Sequence, residues 1–239
     1  MRARLVRTLV TVVALAVIAV AADLGARSWA TGRVAQQLRQ TYGLDADPRV
    51  SVGGGSFLWQ AARGRFDDVT VTVDDYATGS LTLQDVRVRL PEVDVPRSVL
   101  TGGTGTVDLS GGTLRAQVPF AALARQASVG PLDVELTRAG DAVRASTSVR
   151  VFGLGVDLAV TGRPVLDGAD VRLEPVSAQL AGASVPLGRA EQLLRAAGYD
   201  GLVFPLTGVP AQVRLEDLQV VDSGVVVSGT VLPSAVDVR

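Results

Sequence analysis

Two hydrophobic rhythms divide this chain. Near its start an uncharged, largely apolar run extends from Thr8 to Ala22, and apolar residues then recur every fourth position as Ala26, Ala30, Val34, Leu38 and Tyr42. That spacing predicts a helix over residues 24–42. Trp29 lies beside its apolar stripe, and Arg33, Gln36, Gln37, Arg39 and Gln40 fill the other side. Gly32 weakens the helix by up to about 1 kcal/mol relative to Ala, and Gly43 is the predicted stop.

From residue 48 the period changes to two, the signature of strands with one buried face. Asp68–Val73 alternates strictly. Leu81–Leu90 alternates in two phases that meet near Asp85, which predicts a bulge or bend there. Thr106–Leu109 and Leu114–Val118 flank Gly111-Gly112, and Asp133–Thr137 and Ala142–Val151 flank Gly140-Asp141; both read as hairpins. Val156–Thr161 and Ala169–Leu173 follow, and Gln212–Val221 with Val225–Val231 enclose Asp222-Ser223-Gly224. About nine or ten strands at hairpin spacing predict an antiparallel meander rather than βαβ units. Two shorter helices interrupt it. Phe120–Ala127 has Pro119 at its first turn, and Leu187–Ala197 has Pro186 before it and Gly198 after it. An acidic residue followed by aliphatic, any, aliphatic recurs at Asp68, Asp85, Asp170 and Asp217, either as the mark of repeated β-units or by chance in a chain rich in Val and Asp. No low-complexity linker divides the body, so the expected organisation is a targeting segment over 1–22 and a single domain over 23–239.

Composition narrows the chemistry. The 239 residues include no Cys and no His, and every one of the 23 basic residues is Arg. These absences exclude disulfides, thiolate metal sites, His-based triads, Schiff-base lysines and a P-loop lysine. A net charge of −1 argues against nucleic acid as a partner. Aromatics are only 4%, so the core is aliphatic and β-branched, in keeping with strands. Arg2, Arg4 and Arg7 precede the apolar run, the form of a secretory signal, and Ala19-Val20-Ala21 offers a small-x-small cleavage site. The run of fifteen residues is shorter than the roughly 20 that span a bilayer, although Leu24, Ala26 and Trp29 extend its apolar character; a cleaved signal and an uncleaved anchor both remain open. Either way the body is exported, as a periplasmic or cell-envelope protein, and the lack of disulfides suits a bacterial envelope. Without the three leading Arg, 20 basic residues face 24 acidic ones, a mildly acidic body.

Few residues are candidates for catalysis. Asp67-Asp68 and Asp74-Asp75 are the best carboxylate pairs, but neighbours on a strand point to opposite faces, so neither pair converges locally. Gly53-Gly54-Gly55 and Thr101–Gly105 lack the Lys and the following helix of a phosphate-binding loop and read as turns. The apolar positions carry more. Phe57-Leu58-Trp59 follows three glycines, with Phe66 seven residues beyond Trp59, and Tyr199, Phe204, Pro205 and Leu206 form a second group. Each group reads either as ordinary core or as the mouth or lining of a hydrophobic site.

At these segments the chain resembles a known family. Gly55-Ser56-Phe57-Leu58-Trp59-Gln60 followed by Gly64-Arg65-Phe66-Asp67-Asp68-Val69 is similar to the Phe-Leu-x-Gln…Gly-[Arg/Lys]-[Tyr/Phe]-Asp-x-Val pattern of the LmeA-like phospholipid-binding family of actinobacterial envelope proteins. The later segments Leu206–Pro210, Arg214–Val220 and Gly224–Gly229 resemble its closing pattern, and the likeness spans roughly residues 24–232. Trp59 departs from it, the family more often having Thr there. The resemblance implies an α+β fold in which a strongly curved antiparallel sheet wraps around a long N-terminal helix, with one or two shorter helices and an apolar groove. It implies non-catalytic binding of a phospholipid, of the phosphatidylinositol type, in support of lipid or lipoglycan handling. The implied partners are phospholipid, a membrane surface and envelope biosynthesis proteins; no cofactor or metal is expected.

On that reading Trp29, Val34 and Leu38 line the groove from the first helix, and Phe57, Leu58, Trp59 and Phe66 form its mouth. Phe120, Leu123, Phe152, Leu193, Leu194, Phe204 and Leu206 continue the wall. With Lys and His absent, a headgroup phosphate needs Arg, and Arg63 and Arg65 beside the mouth are the first candidates, with a surface role as the alternative. Two other classes stay open: a partner-binding envelope domain with a simply packed core, and a glycolipid enzyme whose two acids would converge about 5–9 Å apart in a cleft.

Overall fold

A computed structural model describes residues 2–78, 81–127, 134–151, 154–167, 170–196, 203–205 and 211–238. It is an α+β structure built from antiparallel sheets and a long N-terminal helix. That helix, α1, runs Arg2–Tyr42, so the apolar run and the amphipathic stripe form one continuous element, about 60 Å long at 1.5 Å per residue. Among the described residues no helix is long and apolar enough to cross a membrane.

The chain forms two compact units, each assembled from separate stretches of sequence. The first comprises Met1–Thr72, Val88–Gly112 and Pro233–Arg239. It contains α1, β1 (Arg49–Val52), α2 (Phe57–Arg63) and the first half of β2 (Arg65–Thr78), together with the second half of β3 (Leu81–Asp94), α3 (Arg97–Leu100) and β4 (Gly105–Leu109). Strand β1 pairs with β2 from Arg49↔Thr72 to Val52↔Val69. The closing strand β14 (Ser234–Val238) pairs with β4, which also meets β3 at Val93↔Leu109. Phe57, Phe66 and Val93 form the buried centre of this unit, packed against Ala26 and Ala30 of α1 and by Val52, Val69, Leu90 and Val107.

The second unit comprises Val73–Arg87 and Thr113–Leu232. One of its sheets is a true meander of β6 (Glu135–Ala139), β7 (Ala142–Val151), β8 (Leu154–Asp167), β9 (Asp170–Leu180) and β10 (Ala183–Val185), with β11 (Val203–Pro205) also on β9. The other sheet brings β5 (Gly112–Pro119) beside β13 (Gly224–Val231), which pairs with β12 (Val213–Val221). Neither sheet closes on itself. Helix α4 (Phe120–Ala127) starts directly after Pro119 and buries Phe120, Ala122 and Leu123 in a core with Leu81, Val118, Leu136, Val143, Leu173, Val225 and Val227. Its first amide donates to Ser223 O, tying the helix start to the β12–β13 turn. Helix α5 (Leu187–Ala196) sets Leu187 and Ala190 against Leu158, Val160 and Ala178.

The predicted hairpins around Gly140-Asp141 and Asp222-Ser223 are present, with Ala139↔Ala142 and Val221↔Gly224 as their closing pairs. The predicted β4–β5 hairpin is not. Gly111 does adopt a turn conformation (φ +100°), but β4 takes β3 and β14 as neighbours while β5 takes β3 and β13. A glycine pair fixes a turn; it does not fix which strand supplies the hydrogen-bond partner. The described chain also holds fourteen strands rather than nine or ten, because the short β1, β10, β11 and β14 carry too few residues to show a period.

The phase slip expected near Asp85 is real. Asp85 has φ +49°, and Asp68, between Phe66 and Val69, has φ +52°. On β12 the register to β13 shifts between Leu215 and Asp217. Three of the four recurring acidic-aliphatic motifs thus sit at irregularities, and the fourth, Asp170, pairs with Asp167 where β8 turns into β9. Asp is among the few residues that enter the left-handed region without prohibitive cost, because its short side chain bonds locally. At three of its four occurrences the motif coincides with a strand irregularity.

Candidate functional site

The segment with the strongest sequence pattern, residues 53–69, folds into a compact unit around helix α2. Ser56 caps the helix by accepting from the Trp59 amide, and Gly64 closes it in the left-handed conformation (φ +71°) with its N–H directed to Ala61 O and Gln60 O. Gly64 has a second constraint. A Cβ there would lie 2.7 Å from Val95 O, the neighbour of the amide that donates to Gly64 O at 2.7 Å. Only glycine satisfies both the turn and the close approach.

Inside the segment lies Gln60, 4% exposed and fully engaged. Its Nε2 donates to Gly53 O at 2.9 Å and to Gly55 O at 3.3 Å, and its Oε1 accepts from the Asp67 amide at 2.8 Å. One side chain therefore joins the glycine turn, the helix and strand β2. Phe57 and Phe66, also buried, lie with their ring centroids 5.5 Å apart and tilted by 41°.

Helix α1 holds α2 through a polar pin. Asp23 Oδ1 accepts from the Leu58 amide at 2.8 Å and from Ser56 Oγ at 2.7 Å. The Leu58 amide first, then the Ser56 hydroxyl and the Phe57 amide, hold the Asp23 carboxyl below its ordinary value of 3.8, with nearby Arg27 adding to the same effect. One turn on, Arg27 donates to Gly55 O at 2.7 Å, and its Nε is enclosed without a hydrogen-bond partner among the described residues.

The sequence candidates fall in several places. Trp29, Val34 and Leu38 lie on α1: Trp29 is 67% exposed with the Arg33 guanidinium 5.4 Å from its ring centroid, Val34 is exposed and Leu38 half-buried. Of the four residues assigned to a mouth, the structure brings Phe57 and Phe66 together in the core of the first unit. Leu58 and Trp59 face outward from α2, 45% and 63% exposed. Phe120 and Leu123 are buried together in the second unit on α4. Leu193 and Leu194 belong to α5 and Phe204 to β11, with their side chains outside the described set; Phe152 and Leu206 lie outside the described residues altogether.

The two arginines differ. Arg65 donates from Nε to Asp94 Oδ1 at 2.9 Å with Glu92 at 3.8 Å, and the bond to Asp94, reinforced by both carboxylates, raises its already high pKa. Arg63, on the last turn of α2, is exposed, and its side chain has no ion-pair or hydrogen-bond partner among the described residues. One acid of each carboxylate pair has a side-chain partner on β3. Asp68 accepts from Arg89 Nε at 2.5 Å, and Asp75 from Gln84 at 3.2 Å. A surface ion pair such as Asp68–Arg89 contributes little to stability, about 0–1 kcal/mol.

Sequence reasoning missed Gln60 and Asp23. The signal for Gln60 was its place between the glycine turn and Asp67, where a side chain with both donor and acceptor can bridge two backbones. The signal for Asp23 was an acid standing alone at the end of fifteen uncharged residues.

No curated protein and no solved structure matched the chain. A family model does, over residues 21–230, which takes in the pinned α2 segment, most of both units and all but the last residue of the β12–β13 hairpin, and its description is LmeA-like phospholipid-binding. The chain is a member of the LmeA-like phospholipid-binding family.

Proposed function

We propose that this protein binds a phospholipid, of the phosphatidylinositol type, without catalysis, and that it does so in the cell envelope in support of lipid or lipoglycan handling. The observation that carries the reading is the family match across residues 21–230. The composition supports it: a chain without Cys, His or Lys has few groups for bond-breaking chemistry but ample aliphatic surface. Each acyl CH₂ removed from water contributes about 0.8 kcal/mol, so a few methylenes in an apolar groove give useful affinity with no reactive group. The groove is the one implied by the family fold, between the N-terminal helix and a curved sheet. Its lining draws on the aliphatic candidates named above, and its entrance on Leu58 and Trp59. A headgroup phosphate would be met by Arg63, whose guanidinium has no partner among the described residues, ahead of the ion-paired Arg65. The Arg-flanked apolar run supports export, with α1 retained at the membrane or trimmed near Ala21.

Native mass spectrometry of the full chain, followed by lipid extraction, tests this reading. The expected result is one phospholipid per chain, with the extract identifying the headgroup. A chain that is empty as purified and also takes up no lipid from mixed phospholipid vesicles would refute it.

A further inference from the structure

Helix α2 presents a face with no protein partner among the described residues. At 100° per residue its outward positions follow one another as Leu58, Ala62, Trp59 and Arg63 over about 140° of arc. Leu58 and Trp59 are the large apolar members, and Arg63 closes the polar end. A solvent-facing helix of seven residues has no folding reason to display a Leu and a Trp side by side.

The position of this face is fixed. The helix starts at the Asp23 pin, with Leu58 N 2.8 Å and Ser56 Oγ 2.7 Å from the same carboxylate oxygen. Asp23 immediately follows the apolar run of α1, whose members Leu15, Val17, Ile18 and Val20 are all exposed, as is Leu24 just beyond it. Two separate apolar surfaces, one on each helix, therefore meet at one pinned point. Fifteen residues of helix extend about 22 Å, less than the roughly 30 Å of a hydrocarbon core. If the run enters lipid, the water boundary falls no nearer the N-terminus than Asp23, at the level where α2 begins. Trp is the residue that favours this boundary layer, and an uncommitted guanidinium at its polar edge suits phosphate.

We propose that α2 is a membrane-contact element: Leu58 and Trp59 enter the interfacial layer of an anionic phospholipid bilayer, and Arg63 meets headgroup phosphate at its rim. The occupant is the bilayer surface, and the proposal holds whether or not a single lipid is carried in a groove. The Asp23 pin is the positioning device, since it carries the α2 face to the end of the apolar run.

The chain has two Trp, at 29 and 59, so Trp29→Phe in the full chain leaves Trp59 as the sole reporter. With vesicles of phosphatidylcholine and phosphatidylglycerol, its emission is expected to shift to the blue. It should also lose accessibility to acrylamide and be quenched more by a nitroxide near the headgroups than by one deep in the acyl chains. Adding Asp23→Ala leaves the apolar run free to hold the chain on the vesicle, and Trp59 quenching by the shallow nitroxide is expected to drop. Leu58→Ser changes an exposed position, so folding is retained, and should weaken vesicle binding roughly tenfold. Arg63→Gln should weaken it about fivefold, through one lost surface charge. Trp59 emission and acrylamide accessibility unchanged by vesicles would overturn the proposal, as would Trp59 quenching indifferent to Asp23→Ala. A chain that carries lipid by mass spectrometry yet shows no Trp59 insertion keeps the proposed function and loses only this inference.

Discussion

Replacing Gln60 by Leu removes a hydrogen-bonding side chain of similar size from an enclosed position and leaves its partners behind. The side chain makes two good bonds, to Gly53 O at 2.9 Å and from the Asp67 amide at 2.8 Å, and a longer third to Gly55 O at 3.3 Å. A buried group left unpaired costs about 1–3 kcal/mol, so the two short bonds bound the loss at about 2–6 kcal/mol. Gly53 is only half-buried and Asp67 is exposed, so water can reach part of what is freed. That places the expected loss in the lower half, about 2–3 kcal/mol. Because the chain forms two units, a single global unfolding curve is the wrong instrument. Amide hydrogen exchange resolves the effect locally. Protection in peptides covering residues 53–70 should fall roughly 30- to 140-fold, at about 1.4 kcal/mol per decade. The β12–β13 hairpin of the second unit should keep its protection. Unchanged exchange over 53–70 in the Leu variant would show that Gln60 is not what joins the turn, α2 and β2.

Three further outcomes follow from the same geometry. Asp23 is held below its ordinary 3.8 in the folded state, so the pin contributes fully above that value and is lost as the pH falls through the lowered one; Leu58 amide protection, corrected for intrinsic exchange, should collapse in that acid range and lose this pH dependence in Asp23→Asn. Gly224→Ala drives a Cβ to within 2.1 Å of Val118 O and should cost about 3 kcal/mol or more, read as lost amide protection in the β12–β13 hairpin; Gly140→Asn, with φ +71° and nothing within 4 Å, should change protection of the β6–β7 hairpin by less than about 1 kcal/mol. Asp85→Val forces a β-branched residue to φ +49° and should cost about 1–2 kcal/mol in amide protection of β3, whereas Asp85→Gly should be close to neutral; equal protection of β3 in the two variants would remove the left-handed conformation as the reason for Asp.

The sequence shows the elements whose information is local. The α4 boundaries coincide with Phe120–Ala127, and the hairpins at Gly140-Asp141 and Asp222-Ser223 close where their turn residues lie. Strand partnership is a different kind of information. Strand β4 pairs with β14, from Gly105↔Val238 to Leu109↔Ser234, across more than half the chain. Nothing in the residues around Gly111-Gly112 encodes so distant a neighbour. The candidate site divides in the same way. Hydrophobicity singled out Phe57, Leu58, Trp59 and Phe66 as a group, but not which pair turns inward. That choice follows from the helical spacing of α2, which places Phe57 and Gln60 on one face and Leu58 and Trp59 on another. Beside glycines the segment looks like a flexible mouth; Ser56 and Gly64, as its two caps, are what identify it as a helix.

The recurring Asp motif shows how one strand serves two cores. In β3, Leu81 and Leu83 belong to the core of the second unit, on odd positions, and the core of the first takes Leu90 on an even position and Val93 on an odd one. In an unbroken strand, odd and even positions face opposite sides. Asp85 lies in the left-handed region between Leu83 and Leu90, and the phase changes again before Val93. Asp68 does the same in β2, allowing Phe66 and Val69, three apart, to join one cluster. A run of alternating Val and Leu by itself would specify one face along its length. The acidic residues at the phase changes are therefore part of the folding information, and their regular company of aliphatic neighbours is a consequence: each bulge is followed by a fresh apolar alternation in the new phase. At Asp68, Asp85 and Asp217 the motif falls where a strand is irregular; at Asp170 it opens β9.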